Sequence, residues 1–133
     1  MAKARTSRKE KLQNIAFKRG QVYIADLGTD VVGSEQGGER PVLILQNNIG
    51  NKYSPNLIVL PLTTKNPKKL LPTHVPIKKS DYNILSKDSI ILTDQWRTIS
   101  KERITKSMPL TMIKQQDMKR VEESIRISVG LED

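Results

Sequence analysis

The chain has 133 residues and a formal net charge of +9, from 23 Lys and Arg against 14 Asp and Glu. That length fits one domain of about 100–200 residues, with a core that needs no staples. Cysteine is absent, which excludes a disulfide framework, a thiolate metal site and a cysteine nucleophile, and no apolar run approaches the roughly 18 residues of a membrane span.

Residues 1–16 read as a basic extension. Residues 1–20 carry a net +6. Ser7-Arg8-Lys9-Glu10 has capping-box spacing, with Leu12, Ile15 and Ala16 behind it, so a short helix, marginal on its own, is expected there, with a segment disordered until it meets a partner as the alternative. No apolar stretch follows the charges, so the segment is not read as a secretory signal, and a soluble, cytoplasmic protein is expected. The domain proper is expected over residues 17–133. Gln21 to Leu27 (QVYIADL) reads as a strand, and Gly28 to Glu39, with four glycines, as a loop. Pro41 to Gln46 (PVLILQ) and Leu57 to Thr63 (LIVLPLT) read as buried strands. Pro61 puts the second on an edge or at a bulge, and Asn47 to Asn56 between them reads as turns. Residues 63–79 carry +5 from Lys65, Lys68, Lys69, Lys78 and Lys79, while the rest of the chain outside the two basic segments sums to −2. Basic clusters on a near-neutral body point to a polyanion partner, with a solubilising role as the plainer alternative. Thr73 to Ile77 and Ser89 to Thr93 read as strands, and Arg97 to Ile104 as a turn and a short strand. Met118, Val121, Ile125 and Val129 share one face of a terminal amphipathic helix closed by Gly130. The fold class expected is mainly β, a small barrel or partly open sheet with a C-terminal helix.

The chemistry is narrowed by what is missing. His74 is the single histidine, the acids are scattered, and no phosphate-binding GxxxxGK[ST] loop occurs, so no metal or cofactor is expected. Gly33-Ser34-Glu35-Gln36-Gly37-Gly38 follows no dinucleotide fingerprint. It does stand directly before Arg40 and a rigid strand, where a planar guanidinium can be offered to a phosphate. An ion pair of Arg40 with Glu35, Glu39 or Asp94 that holds the loop is the alternative.

Several motifs in order now converge. Lys18-Arg19-Gly20-Gln21-Val22-Tyr23, the loop from Gly33 to Pro41, Val42 to Asn47, and Gly50-Asn51-Lys52-Tyr53-Ser54-Pro55 come first. Leu62-Thr63, Leu71 to Val75, Asp88-Ser89, Asp94-Gln95-Trp96-Arg97-Thr98 and the terminal helix follow. Over residues 17–131 the chain resembles the MazF/PemK family of toxin endoribonucleases. The resemblance implies an SH3-like β-barrel with a C-terminal helix, a homodimer, and metal-independent, sequence-selective cleavage of single-stranded RNA. It also implies a cognate antitoxin protein whose tail occupies the RNA groove, and contact with operator DNA through the toxin–antitoxin complex. In the Gram-positive branch the key pair falls on Arg40 and Thr63. Arginine cannot readily accept a proton. Asp94 stands where some members carry a base, although their arginine two positions earlier is Leu92 here. His74 has the better intrinsic pKa for acid–base work, but its alternation with Val75 and Ile77 favours a structural or dimer contact. Ser34, Glu35, Gln36 and Gln95 border the implied substrate groove and are candidate RNA contacts. Lys65, Lys68 and Lys69 are candidates for gripping RNA backbone. Trp96, the only tryptophan, reads as a core or dimer anchor, with base stacking as the alternative. The Leu57–Leu62 strand and the terminal helix have apolar surface to spare, compatible with a dimer. Other functions share the fold: a non-catalytic toxin that binds a topoisomerase, or a regulator that binds nucleic acid.

Overall fold

The computed structural model describes residues 14–65 and 69–131. The helix expected within residues 1–16 therefore lies almost wholly outside the described residues, as does Lys68. Among the described residues there are seven strands, in chain order β1 (Gln21–Asp26), β2 (Glu39–Ile44), β3 (Asn56–Thr63), β4 (His74–Ile77), β5 (Ser89–Leu92), β6 (Arg97–Ser100) and β7 (Thr111–Met112). Helix α1 (Asn48–Tyr53) joins β2 to β3, and α2 (Gln115–Ser128) follows β7. The strands form an antiparallel sheet in the order β4-β5-β3-β2-β1-β7, with β6 also paired to β3. The sheet curls into a half-barrel, in agreement with the fold class read from the sequence.

The curl originates in β3. One edge of this strand pairs with β2 through Val59, Leu60 and Pro61. The other edge pairs with β6 from Asn56 to Val59 and with β5 at Leu62 and Thr63. Leu60 and Pro61 fall in the gap between those two partners. Pro61 is therefore not on an edge, as the sequence suggested, but in the middle of an interior strand, at the point where its neighbour changes. A residue with no N–H to give is tolerated there because no ladder bond is asked of it on that side.

Alternation along the central strands splits the core into two clusters. Val22, Leu43, Leu60, Leu62 and Ile91 face one way, where Tyr82, Met118 and Val121 cover them. Tyr23, Ala25, Val42, Ile44, Leu57, Val59 and Ile99 face the other, with Phe17 packed edge-on against Tyr23 at a ring separation of 4.9 Å. Both faces are covered, so β2 and β3 read as continuous apolar runs rather than as alternating ones.

Helix α2 is fastened over β4 and β5 by polar contacts as well as by its apolar stripe. The Tyr82 hydroxyl donates to Asp117 Oδ2 at 2.5 Å and accepts from the Lys114 N–H at 3.0 Å. Arg120 donates to the Pro76 carbonyl, and the Ser124 hydroxyl, in contact with the Thr93 hydroxyl, donates to the Pro72 carbonyl. The helix ends with Gly130 at a φ of +76°, and Leu131 N–H reaches the Arg126 carbonyl while Gly130 N–H reaches that of Ile127. This paired C-terminal closure satisfies carbonyls that would otherwise be orphaned. Val129, expected on the core face, is exposed together with Ile127 and Leu131. The spare apolar surface is thus on the helix end and not on the Leu57–Leu62 stretch, which is buried apart from the half-buried Ile58. Among the described residues no helix is long and apolar enough to cross a membrane.

Burial pushes the Tyr82 phenol up to about 12, with the bond to Asp117 as the second cause. The folded chain then keeps this proton after an unfolded tyrosine, near pH 10, has released it, so stability falls as pH rises through that window. Tyr82→Phe is expected to cost about 1–3 kcal/mol at neutral pH, because buried Asp117 loses the donor to its Oδ2 and keeps only Arg120 on Oδ1 among side chains. It should also flatten the alkaline decline, leaving the part due to Tyr23, whose phenol burial also raises. Urea midpoints from pH 7 to 11 check both.

Candidate active site

The face that carries Leu57 and Val59 turns polar toward the end of β3. The β2–β3 register runs Ile44 to Val59, Leu43 to Leu60 and Val42 to Pro61. Continued by two residues, it sets Arg40 opposite Thr63, on the face shared with Val42, Val59 and Pro61. Arg97 joins the same face from the far side of β3, opposite Val59. Two arginines and a threonine thus occupy one end of an otherwise apolar surface.

Arg40 is half-buried and held by three carbonyl oxygens. Its Nε donates to Gly37 O at 2.9 Å, and Nη1 donates to the side-chain oxygen of Gln36 and to Leu62 O at 3.4 Å. Its partners are neutral, not Glu35, Glu39 or Asp94. Arg40 therefore does hold the loop, as the structural alternative supposed, but without a counter-ion. Burial pulls the guanidinium below its ordinary value. Its Nη2 makes no hydrogen bond among the described residues. Thr63 is half-buried at the end of β3, and its Oγ1 accepts the Lys65 N–H at 3.2 Å.

The loop over residues 27–38 is folded tightly on itself. Leu27 N–H meets Gly38 O at 2.9 Å, and Gly38 N–H meets Gly28 O at 2.7 Å. A Cβ on Gly37 would stand 2.8 Å from the Gly28 carbonyl and 2.9 Å from Val31, so this position requires glycine. Glu35 Oε1 accepts the Val32 N–H at 2.7 Å, which spends that carboxylate on the turn. Gln95, from the β5–β6 turn, latches the loop twice: Oε1 accepts the Gln36 N–H at 3.1 Å and Nε2 donates to Ser34 O at 3.2 Å. Between loop and turn lies a cleft of about 360 Å³. It is lined by Asp30, Val31, Glu35 and Gln36 from the loop, Pro61 from β3, and Asp94 to Arg97 from the turn. Asp94 is exposed there and makes no hydrogen bond or ion pair among the described residues.

The cleft is lined by the Arg97 guanidinium and the free Asp94 carboxylate. Arg40 and Thr63 stand beside it, Arg40 bonded to the lining residue Gln36 and Thr63 on the strand face of the lining residue Pro61. Together these groups can bind and polarise a phosphodiester. Comparison with known proteins agrees in sequence as well as in fold. Residues 18–129 match the family described as "PemK-like, MazF-like toxin of type II toxin-antitoxin system". The chain belongs to this family. It is 52% identical to an Endoribonuclease MazF of Staphylococcus saprophyticus over 115 residues, which is 86% of this chain and 92% of that protein. An endoribonuclease from a mycobacterial species, solved with its cognate antitoxin, superposes with a TM-score of 0.70 at 27% identity, covering 89% of this chain and 99% of that one. A MazF from Deinococcus radiodurans matches in fold with a TM-score of 0.72 at 21% identity, covering 88% and 99%.

Not every candidate residue is brought to the cleft. His74 begins β4, two strands away from β3, and its Nδ1 accepts the Leu71 N–H at 3.0 Å, which fixes a turn. Ser34 is exposed at the loop tip, and Lys65 and Lys69 are exposed beyond Thr63. Among the described residues no group of three His, Cys, Asp or Glu side chains is placed to hold a metal. The sequence marks Arg97 only as part of a motif. Its Nη1 donates to Leu27 O at 3.2 Å, tying β6 to the root of the loop. Its alternation with buried Ile99 was the available signal. Trp96 is not a core residue: 46% of it is exposed.

The latch makes a direct prediction. Gln95→Ala removes the acceptor of the Gln36 amide, so hydrogen exchange at that amide should speed up about fivefold or more. Amides of β2 and β3 should keep their protection. Amide-resolved exchange by NMR checks this.

Proposed function

We propose that this toxin endoribonuclease cuts single-stranded RNA, without a metal ion, by attack of a 2′-OH on the adjacent phosphorus. The observation that carries the reading is the cross-strand register that sets Arg40 opposite Thr63, on the strand face that Pro61 shares with the cleft. In the reaction a bond forms from O2′ to phosphorus and the bond to O5′ breaks. The 2′ proton leaves, and the departing O5′ gains one. Negative charge grows on the phosphate oxygens as this happens. Arg40 meets it with a full positive charge that no carboxylate cancels, through the Nη2 group left over from its three hydrogen bonds to carbonyl oxygens. Donors fixed in advance by the fold need no reorganisation at that moment. The Thr63 hydroxyl, whose oxygen accepts from Lys65, still has its own proton to give to a phosphate oxygen or to O3′. Two carboxylates in the cleft, Asp30 and Asp94, are free of hydrogen bonds among the described residues. Asp94, on the turn beside Pro61, is the one proposed to take the 2′ proton, since Glu35 is occupied by its turn and arginine cannot serve. Water supplies the proton to O5′.

Base selection falls to the cleft rim, where Ser34 is exposed and an unpaired strand offers open base edges, while the side chains of Gln36 and Gln95 hold the loop that forms the rim. The exposed Lys65 and Lys69 are the lysines proposed to grip the RNA backbone. The protein acts in the cytoplasm as a homodimer, with the exposed end of α2 supplying apolar surface, and a cognate antitoxin protein competes for the cleft. The mycobacterial relative solved with its own antitoxin supports that partner. Operator DNA is reached through that complex.

Purified protein in EDTA should cut a long single-stranded RNA at discrete sites. A 2′-deoxyribose at a mapped site should abolish that cut. Arg40→Lys should lower kcat by about 100-fold or more, because a point charge cannot replace the fork. Cleavage that needs added magnesium, or that persists at the 2′-deoxy site, contradicts the mechanism. A second prediction concerns the lysines. Lys65→Glu with Lys69→Glu should flatten the dependence of log Kd on log salt by about 0.7 for each phosphate no longer neutralised, and leave kcat nearly unchanged. Filter binding over a salt series and single-turnover rates measure the two.

A further inference from the structure

The chain has five aromatic residues: one Phe, three Tyr and one Trp. Phe17, Tyr23 and Tyr82 are buried, and Tyr53 is exposed on α1, away from the cleft. Trp96 alone presents a ring at the cleft, with 46% of its surface in solvent. A tryptophan left half in water forgoes much of the stabilisation that burial would bring.

Its mount is stiff. The β5–β6 turn that carries it is closed by the Gln95 N–H on the Leu92 carbonyl at 3.3 Å. On one side Gln95 is latched to the loop, and on the other Arg97 is tied to Leu27 O. The ring borders two recesses: the cleft itself, and a more open one of about 360 Å³ shared with Ile58, Arg97 and Thr98. A flat, rigidly carried ring between two recesses, with a guanidinium beside it, matches a base and its phosphate. Stacking is tolerant of base identity, and the exposed Asp94 carboxylate lines the same cleft as the ring.

We propose that Trp96 is a base-stacking platform of the RNA cleft, which seats a nucleotide close to the scissile phosphate. This rests on the reading that the cleft takes single-stranded RNA. As the sole tryptophan, Trp96 reports on itself. Titration of the wild type with an RNA that it cuts, made resistant by 2′-deoxyribose at the mapped site, should quench the intrinsic fluorescence. Trp96→Ala should raise KM by about five- to 150-fold, the range set by one base stack, with kcat within about twofold. Trp96→Phe should recover most of the loss, with unchanged melting temperature and unchanged mass by light scattering.

No quenching by RNA, together with an unaltered KM in Trp96→Ala, overturns the proposal. So does dissociation of Trp96→Ala or Trp96→Phe into a smaller species, which would make the ring an anchor between copies. A fluorescence change with antitoxin but not with RNA overturns it in favour of a peptide contact. Should Trp96→Ala not fold, the wild-type titration and the Trp96→Phe kinetics still decide. A wild type that cuts no RNA at all would bring down the cleft reading and this inference together, an outcome distinct from loss of the stack alone.

Discussion

Strand β3 hands its outer edge from β6 to β5 between Val59 and Leu62, and the position of the cleft follows from that hand-over. Before it, the strand carries Leu57 and Val59 into the second core cluster. After it, the same face emerges at Pro61 and Thr63, with β5 in place of β6 alongside. The gap between the two partners is where the β5–β6 turn sits, so Asp94, Gln95 and Trp96 arrive beside Pro61 as a direct result. A straight strand with one partner throughout would have no such opening. Pro61 fits this position because it contributes no donor where no acceptor waits.

The second constraint is the manner in which Arg40 is held. A half-buried guanidinium needs its N–H groups satisfied, and a carboxylate would satisfy them most strongly. Here the work falls to the carbonyls of Gly37 and Leu62 and to the amide oxygen of Gln36. Dipoles orient the group without cancelling its charge, so the field it sets up remains available to an anion. The glycine-rich loop is what makes this possible: only a tightly folded loop delivers the Gly37 carbonyl to Nε, and the Gln95 latch keeps it there. The same arrangement explains why Gln95 is better regarded as a positioning residue than as a free base reader, since both ends of its amide are engaged.

Much of this was legible in the sequence. The apolar runs Val42 to Ile44 and Leu57 to Leu62, the glycine loop before Arg40, and the terminal helix with its Gly130 closure are all strong local signals. What escaped has physical reasons. Helix α1 spans six residues, too short to register as a periodic pattern. It is held by the Asn47 side chain on Gly50 N–H and by Asn51 Nδ2 on the Gln46 carbonyl. Strand β7 has two residues and exists only because β1 offers it an edge. Val129 fell on the expected stripe, but the helix runs past the sheet before reaching it. The role of Pro61 depended on two partners distant in sequence. The neutral partners of Arg40 include Gly37 and Gln36, close in sequence, and only the fold of the loop turns their carbonyl oxygens onto the guanidinium where composition suggested nearby acids. Trp96 was drawn toward the core by its residue type, whereas its exposure is set by a turn that no local pattern specifies.

The central claim is that Arg40 and Thr63 act on one phosphate as a unit, made so by their register across β2 and β3. A double-mutant cycle in kcat/KM tests it most directly, with Arg40→Ala, Thr63→Ala and the double variant compared on one RNA under single-turnover conditions. Strong non-additivity is expected, with the double variant little worse than Arg40→Ala alone. Losses that simply multiply would mean that the two side chains act independently, and would contradict the claim.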